Sequence, residues 1–261
     1  MKKYHLIAGL PRSGTTLLST ILKQNPRFEA SISGPLAGVV RSVVTESTTQ
    51  GGYRFECPVE KRKQLVGALF DAYYDDPTKD VAFNTNRGWG LQLPMMKDMY
   101  PDLKMIACVR DLGWVLDSFE RLVRNNPYAV TSIFSLEENM NVFTRSEALM
   151  RPGRPVGFGY NSLKEAAYGE HKGSIALIDY EQLAREPEAT MKGIYNFIEE
   201  PYFAHDFNNV EASYDEYDAD VALPGLHTTR KKVQFIPRAT ILPPDVWDNC
   251  AGMEFWKNPQ K

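Results

Sequence analysis

Cysteine is scarce in this chain, and so are long apolar runs and an excess of charge of either sign. The three cysteines, Cys57, Cys108 and Cys250, are an odd and widely spaced set without metal-ligand spacing. Such a set excludes a disulfide framework, so we expect a reducing compartment, the cytoplasm. No stretch reaches the roughly 18 apolar residues of a membrane span, and the N-terminal run is too short for a signal peptide. A net charge of −3 indicates no general affinity for nucleic acid. We expect neither a membrane nor a nucleic-acid partner.

The chain does contain short apolar segments that alternate with helical patterns, about every 30 residues. The predicted strands are residues 4–10, 27–33, 80–86, 103–110 and 173–180. This alternation predicts an α/β fold of three layers, with a central parallel sheet flanked by helices. Residues 205–261 lack it, and we expect covering loops and a C-terminal tail there, within one domain that spans 1–261.

The stretch "AGLPRSGTTLL", residues 8–18, lies between the first predicted strand and the first predicted helix. Gly9 and Gly14 allow a tight turn in which backbone N–H groups face inward, and the helix N-terminus adds partial positive charge. Arg12 adds a forked donor that suits an oxyanion. Further donors are the hydroxyls of Ser13, Thr15 and Thr16. The stretch predicts a site for a phosphate-like group at the carboxyl edge of the sheet.

A triphosphate-binding loop has the pattern G-x-x-x-x-G-K-[ST], and its lysine is missing here. Thr15 stands at that position, and the basic residue is Arg12. The loop instead resembles the 5′-phosphosulfate loop of sulfotransferases, P-[KR]-S-G-T-[TS]. This resemblance implies a P-loop-type fold and 3′-phosphoadenosine 5′-phosphosulfate as donor. The implied donor-binding residues are Pro11, Arg12, Ser13, Gly14, Thr15 and Thr16.

A second motif, "CVRDLGWVLDSFERL", resembles the same family. Its members build a site for the donor's 3′-phosphate from an arginine that ends a strand and a serine eight residues later, as Arg110 and Ser118 stand here. That spacing is about two helical turns, and Arg121 can share the same face. In the alternative interpretation, Arg110 pairs with Asp111 and Ser118 only fills the helix.

Two further segments resemble family motifs. "IDYEQLAREP" is similar to the segment after a central strand in tyrosylprotein sulfotransferases and their bacterial relatives, which implies that Tyr180 lies beside the nucleotide. The alternative is a tyrosine that closes a strand with its hydroxyl in water. "TTRKKVQFIPR" is similar to the family's late basic loop over the 3′-phosphate. The residues assigned there to the donor are Thr229, Arg230 and Lys231, with Lys232 and Arg238 as further candidates.

Sulfuryl transfer needs an acceptor placed in line and a group that takes its proton. The resemblance implies that Arg12 stabilises the leaving phosphate and that no metal ion is needed. The glutamate or histidine that serves as base in relatives is missing at the matching positions. We hypothesise that His227 is the base, and Glu29 and Glu46 are less favoured candidates for this role. We also hypothesise that Arg87 replaces a catalytic lysine of some relatives. The predicted acceptor-site residues are Asn84, Thr85 and Asn86.

The resemblance thus implies sulfuryl transfer to a hydroxyl or amine of a small molecule, a carbohydrate or a peptide. Two other classes stay open. The missing lysine and the lack of a clear Mg²⁺ carboxylate disfavour an ATP-dependent kinase. The missing base keeps a non-catalytic nucleotide-binding regulator open. No match to the dimer motif of the small-molecule enzymes is present, so the sequence indicates no oligomeric state.

Overall fold

The computed structural model describes residues 2–49 and 51–257, so residues 258–261 of the predicted tail lie outside the described residues, as do Met1 and Gln50. One parallel sheet is built from β1 (Lys3–Gly9), β2 (Phe28–Ala30), β3 (Val81–Thr85), β4 (Met105–Val109) and β5 (Ile175–Asp179). The strand order is β2-β3-β1-β4-β5, which puts β1 at the centre. All five strands therefore end at one edge of the sheet, and the predicted fold class is confirmed.

Helices cover both faces of this sheet. They are α1 (Thr15–Leu22), α2 (Leu36–Thr49), α3 (Tyr53–Glu56), α4 (Val59–Tyr73), α5 (Trp89–Met99), α6 (Leu112–Asn125), α7 (Val142–Met150), α8 (Pro155–Tyr168), α9 (Tyr180–Arg185), α10 (Pro187–Phe197), α11 (Asp215–Asp220) and α12 (Pro244–Asp248). Short 3₁₀ turns lie at Lys172–Ser174 and Phe255–Lys257. The sequence did not predict α3, α7 or α8. None of the helices in the described residues has both the length and the hydrophobicity of a membrane span.

The alternation of side chains along β1 divides the core into two layers. Leu6 and Ala8 are fully buried against α5, α6 and α8, whereas Ile7 is fully buried against α1 and α10. Each fully buried aliphatic side chain contributes about 1.5–3 kcal/mol of transfer free energy. A sheet buried on both faces gives the loops at its carboxyl edge a rigid base.

The segment after α10 returns over that edge and is held by its own backbone. Val210 N–H donates to the Lys231 carbonyl at 2.8 Å, and Thr229 N–H donates to the Ala212 carbonyl at 2.9 Å. Val233 N–H donates to the Phe207 carbonyl at 2.8 Å, in the same segment. These bonds fix the basic cluster of residues 229–232 above the strand ends.

Candidate active site

A cleft of about 400 Å³ opens at the carboxyl edge of the sheet. Residues from the loops after all five strands line it, together with most of residues 226–238. Its lining cations are Arg12, Arg87, Arg110, Arg230, Lys232 and Arg238. Within the described part of the chain, no carboxylate lines the cleft. The cleft is therefore a concentrated positive field that suits an anionic ligand.

The loop after β1 has an unusual backbone held by one buried hydroxyl. Arg12 has a φ of 62° and Gly14 a φ of 95°, so two residues of one turn are left-handed. The Ser13 hydroxyl donates to the carbonyls of Leu10, at 2.5 Å, and Cys108, at 2.9 Å. The structure thus differs from the prediction that this hydroxyl faces a ligand: Ser13 is buried and holds the loop to β4.

The N-terminus of α1 presents backbone donors to the cleft. Its first intrahelical bond runs from Leu18 N–H to the Gly14 carbonyl at 2.9 Å, and no side chain caps it. The three preceding N–H groups, of Thr15, Thr16 and Leu17, have no place in the helical ladder. All three residues line the cleft. This helix end fits a phosphate or sulfate group.

Tyr180 stands between the loop and Arg110. It opens α9, whose N-cap Asp179 accepts from Glu181 N–H at 2.7 Å. The Arg110 guanidinium carbon lies 4.4 Å from the centre of the tyrosine ring. On the other side, a Cβ added to Gly14 would lie 2.9 Å from the ring. Tyr180 therefore faces the cleft from the start of a helix and does not close a strand toward water.

Arg110, Arg12 and Ser118 form one connected group. Arg110 Nη1 donates to the Arg12 carbonyl at 3.1 Å, and Arg12 Nε donates to Ser118 Oγ at 3.1 Å. Arg12 Nη1 also donates to the Leu226 carbonyl. Burial, with the charge of Arg110, lowers the pKa of Arg12 to about 10, so it stays cationic at neutral pH. Asp111 instead caps α6 through Gly113 N–H at 3.0 Å, so the alternative pairing with Arg110 is not formed.

A buried carboxylate on α6 fixes another cation of the cleft. Asp117 is fully buried and lies 2.6 Å from Arg238 Nη2. It also accepts from Arg121 Nε at 2.9 Å and from Ile241 N–H at 2.8 Å. Arg121 therefore turns toward Asp117 and does not line the cleft beside Ser118. Asp117 ties α6 to the C-terminal segment and holds Arg238 at the cleft.

His227 has the environment of a proton acceptor. Its Nδ1 lies 2.7 Å from Asp218 Oδ1, and its backbone N–H donates to Asp218 Oδ2 at 3.1 Å. An ionised carboxylate only accepts, so Nδ1 carries the proton and Nε2 keeps its lone pair. Burial lowers the pKa of His227, outweighing the bond to Asp218, and the charges of Arg12 and Arg87 lower it further. Asp218 was missed, because the exposed acidic run "EASYDEYDAD" does not mark which carboxylate turns inward.

The residues at the end of β3 divide into framework and cleft. The Asn84 amide is buried, donating to the Tyr74 hydroxyl at 2.6 Å and accepting from Trp89 Nε1 at 2.9 Å. Asn84 does not line the cleft, so the structure does not bring it together with Thr85 and Asn86 as the sequence predicted. Thr85 and Asn86 line the cleft. Their polar groups, however, bond backbone carbonyls. Thr85 Oγ1 donates to the Ser31 carbonyl at 2.5 Å, and Asn86 Nδ2 donates to the Gly34 carbonyl at 2.9 Å.

The basic cluster is divided in the same way. The Thr229 hydroxyl donates to the Val210 carbonyl at 2.6 Å and so serves the loop, although Thr229 lines the cleft. Lys231 is exposed and does not line the cleft, which differs from its predicted contact with the donor. Arg230 and Lys232 do line it. The other predicted donor-binding residues also line the cleft, with the exception of Ser13.

Substitution of Gly14 tests the geometry of the loop. In Gly14→Ala, the left-handed backbone costs about 1–2 kcal/mol, and the new methyl group must displace the Tyr180 ring. We expect denaturant unfolding to show a loss of at least that size. Gly38→Ala is the matched control, because a Cβ there, in α2, meets nothing within 4 Å. An unchanged free energy of unfolding in Gly14→Ala would contradict this account.

Known proteins share this arrangement of strands and helices. The model of the sulfotransferase family matches residues 6–204. Similar solved structures include the sulfotransferase domain of the curacin biosynthetic pathway, at 13% identity over 96% of each chain and a TM-score of 0.57. Another is the sulfotransferase from Alicyclobacillus acidocaldarius, at 18% identity, 85% of this chain, 92% of that chain and a TM-score of 0.52. At such identities they show a shared fold. No curated protein sequence matched. The family match spans most of the chain, which belongs to the sulfotransferase family.

Proposed function

We propose that the protein transfers a sulfuryl group from 3′-phosphoadenosine 5′-phosphosulfate to a hydroxyl group. The observation that carries the proposal is a pair of anion positions side by side. One is the uncapped N-terminus of α1 beside Arg12, and the other is Arg110 with Ser118. A donor with one charged group at its 5′ end and a second at its 3′ position fits such a pair.

The residues present fit this donor in charge as well as in position. Arg12 and Arg110 have no carboxylate partner in the described residues, and Arg230 and Lys232 line the same cleft. Buried cations without partners favour an anionic ligand. A triphosphate carried with Mg²⁺ would meet no lining carboxylate among the described residues. The cleft therefore favours the phosphosulfate donor over ATP.

Arg12 is the residue suited to the leaving group. When bound, the donor supplies a sulfuryl group whose bond to the 5′-phosphate oxygen breaks as a bond to the acceptor oxygen forms. Negative charge then grows on the phosphate. Arg12 is held by Ser118 and the Leu226 carbonyl, so its guanidinium is oriented in advance. Preorganised donors of this kind stabilise the transition state most strongly where water is excluded.

The His227–Asp218 pair is suited to take the acceptor's proton. Asp218 fixes the tautomer in which Nε2 is free to accept, as in other histidine bases oriented by a carboxylate. Because the pKa of His227 is lowered, the ring is neutral at neutral pH. The sequence-based hypothesis for His227 thus gains a physical support that sequence could not supply, and it stays a hypothesis.

Binding of adenosine 3′,5′-bisphosphate, the product of the donor, tests the proposal. Calorimetry without Mg²⁺ should show binding, and ATP with Mg²⁺ should bind at least about tenfold more weakly, because Arg110 and Ser118 are then not engaged. Arg110→Ala should lose most of the bisphosphate affinity. Arg41→Gln, on the exposed face of α2, is the control. Tighter binding of ATP–Mg²⁺ would favour the kinase class, and binding without any turnover would favour the regulator.

Asp117→Asn should weaken bisphosphate binding by about tenfold or more, because Arg238 loses its ionic partner. Calorimetry measures this loss, with the exposed Asp102→Asn as the control. Removing one partner of a buried pair also destabilises folding by about 3–5 kcal/mol. Arg238→Gln leaves Asp117 with its other donors and separates the two effects. Unchanged affinity in Arg238→Gln would remove Arg238 from the donor site.

His227→Ala should lower turnover about hundredfold or more while bisphosphate affinity is kept. A base must be unprotonated, so the rate of the native protein should fall only below the ordinary pKa of 6.5. Asp218→Asn should slow turnover and move this acid limb to still lower pH, because the carboxylate raises the pKa of His227. Rates against pH for a library of acceptors check both. Near-normal turnover in His227→Ala would remove it as the base.

A further inference from the structure

Arg87 lies in a different half of the cleft from the donor-binding residues. The strand order puts β4 and β5, which carry Arg110 and Tyr180 at their ends, on one side of β1. Arg87 follows β3, on the other side. Ile32 and Ser33, which follow β2, line the cleft in the same half. If the donor occupies the half over β1, β4 and β5, the half over β3 and β2 remains for the acceptor.

The guanidinium of Arg87 has no partner within residues 2–49 and 51–257. The residue's backbone carbonyl accepts from the Ser162 hydroxyl at 2.7 Å, but its side chain makes no hydrogen bond and no ion pair there. Two other partly buried arginines are neutralised by glutamates. Arg145 lies 2.9 Å from Glu120, and Arg154 lies 2.5 Å from Glu138. Arg87 differs from these two arginines by having no carboxylate partner among the described residues, and it differs from Arg12 and Arg110 because their guanidinium groups donate to carbonyls or Ser118.

Among the residues that the structure describes, no carboxylate lines the cleft around Arg87. Asp218 does not line the cleft, and its two carboxylate oxygens accept hydrogen bonds from His227. Tyr217 and His227 line the cleft together with Arg87, and neither side chain carries a carboxylate. Arg87 is half-buried, and a half-buried guanidinium without a counter-charge is stabilised by an anionic ligand.

We propose that Arg87 binds a carboxylate of the acceptor, so that the natural acceptor is a hydroxy acid. This inference rests on the sulfuryl transfer proposed above. A planar guanidinium matches a carboxylate with two parallel hydrogen bonds. A single unpaired cation balances the single charge of a carboxylate, whereas a phosphate dianion would leave charge unmatched. The acceptor would then be oriented at two points, its hydroxyl at His227 and its carboxylate at Arg87.

Matched acid and amide probes test this proposal. The pairs are mandelate and mandelamide, salicylate and salicylamide, glucuronate and glucuronamide, and N-acetyltyrosine and N-acetyltyrosinamide. Each is titrated by calorimetry into the protein loaded with adenosine 3′,5′-bisphosphate. We expect at least one carboxylate to bind about 10- to 100-fold more tightly than its amide. Arg87→Gln should abolish that preference, so that each acid and its amide bind with about equal affinity.

Turnover with the same pairs separates binding from chemistry. We expect Arg87→Gln to raise KM for the carboxylates by a larger factor than KM for the amides, with Arg41→Gln as the control. An equal fall in kcat for acids and amides would place Arg87 on the transferring sulfuryl group and overturn the proposal. Equal affinity for acids and amides, or no binding of any carboxylate, overturns it too. Bisphosphate affinity, measured on the same samples, shows separately whether the donor proposal fails.

Discussion

Mutual repulsion among the cations of the cleft is the constraint on which the rest of the site depends. Two like charges about 4 Å apart repel by about 4 kcal/mol at the effective dielectric of a protein surface. The fold holds these side chains mostly without carboxylates. Carbonyls and Ser118 hold Arg12, and a carbonyl and the Tyr180 ring hold Arg110. Of these three arginines, Arg238 alone has an acidic partner within residues 2–49 and 51–257. Dipoles and an aromatic face fix position without cancelling charge, so the field stays available to a ligand.

The framework that tolerates this repulsion is the doubly covered sheet. Strand ends buried on both faces cannot shift to relieve it, and the strained turn at Arg12 and Gly14 is held between β1 and β4 by Ser13. The C-terminal segment adds a second support. Its backbone bonds at Val210 and Thr229, with Asp117 below, hold a stretch with little regular structure over the cleft. Irregular backbone here is kept in place by specific bonds.

Sequence predicted the parts of the molecule whose signals are local. The strands have apolar runs, the loop after β1 has its glycines, and Arg110 and Ser118 are eight residues apart, about two helical turns. Each of these features can therefore be recognised in a short stretch of the sequence. Helix α8 was missed because its glycines weaken the helical pattern. The structure explains them: a Cβ at Gly157 would lie 2.3 Å from the Arg151 carbonyl, and one at Gly159 would lie 3.3 Å from that of Gly9. Close packing of α8 requires glycine at these two positions, and these glycines weaken the helical pattern in the sequence.

The errors at the site have a common physical origin. Ser13, Asn84 and Thr229 carry polar groups at the right chain positions, but distant backbone or side chains consume them. Which polar side chain forms a hydrogen bond inside the protein depends on residues that are distant along the chain. A short stretch of sequence does not contain that information. Asp218 was missed for the same reason. It bonds His227, which is nine residues away, and this contact forms only when the intervening chain folds back. A loop motif encodes the anion-binding loop after β1 locally, whereas the half of the cleft around Arg87 is assembled from residues that follow β3 and β2, so only tertiary structure brings them together.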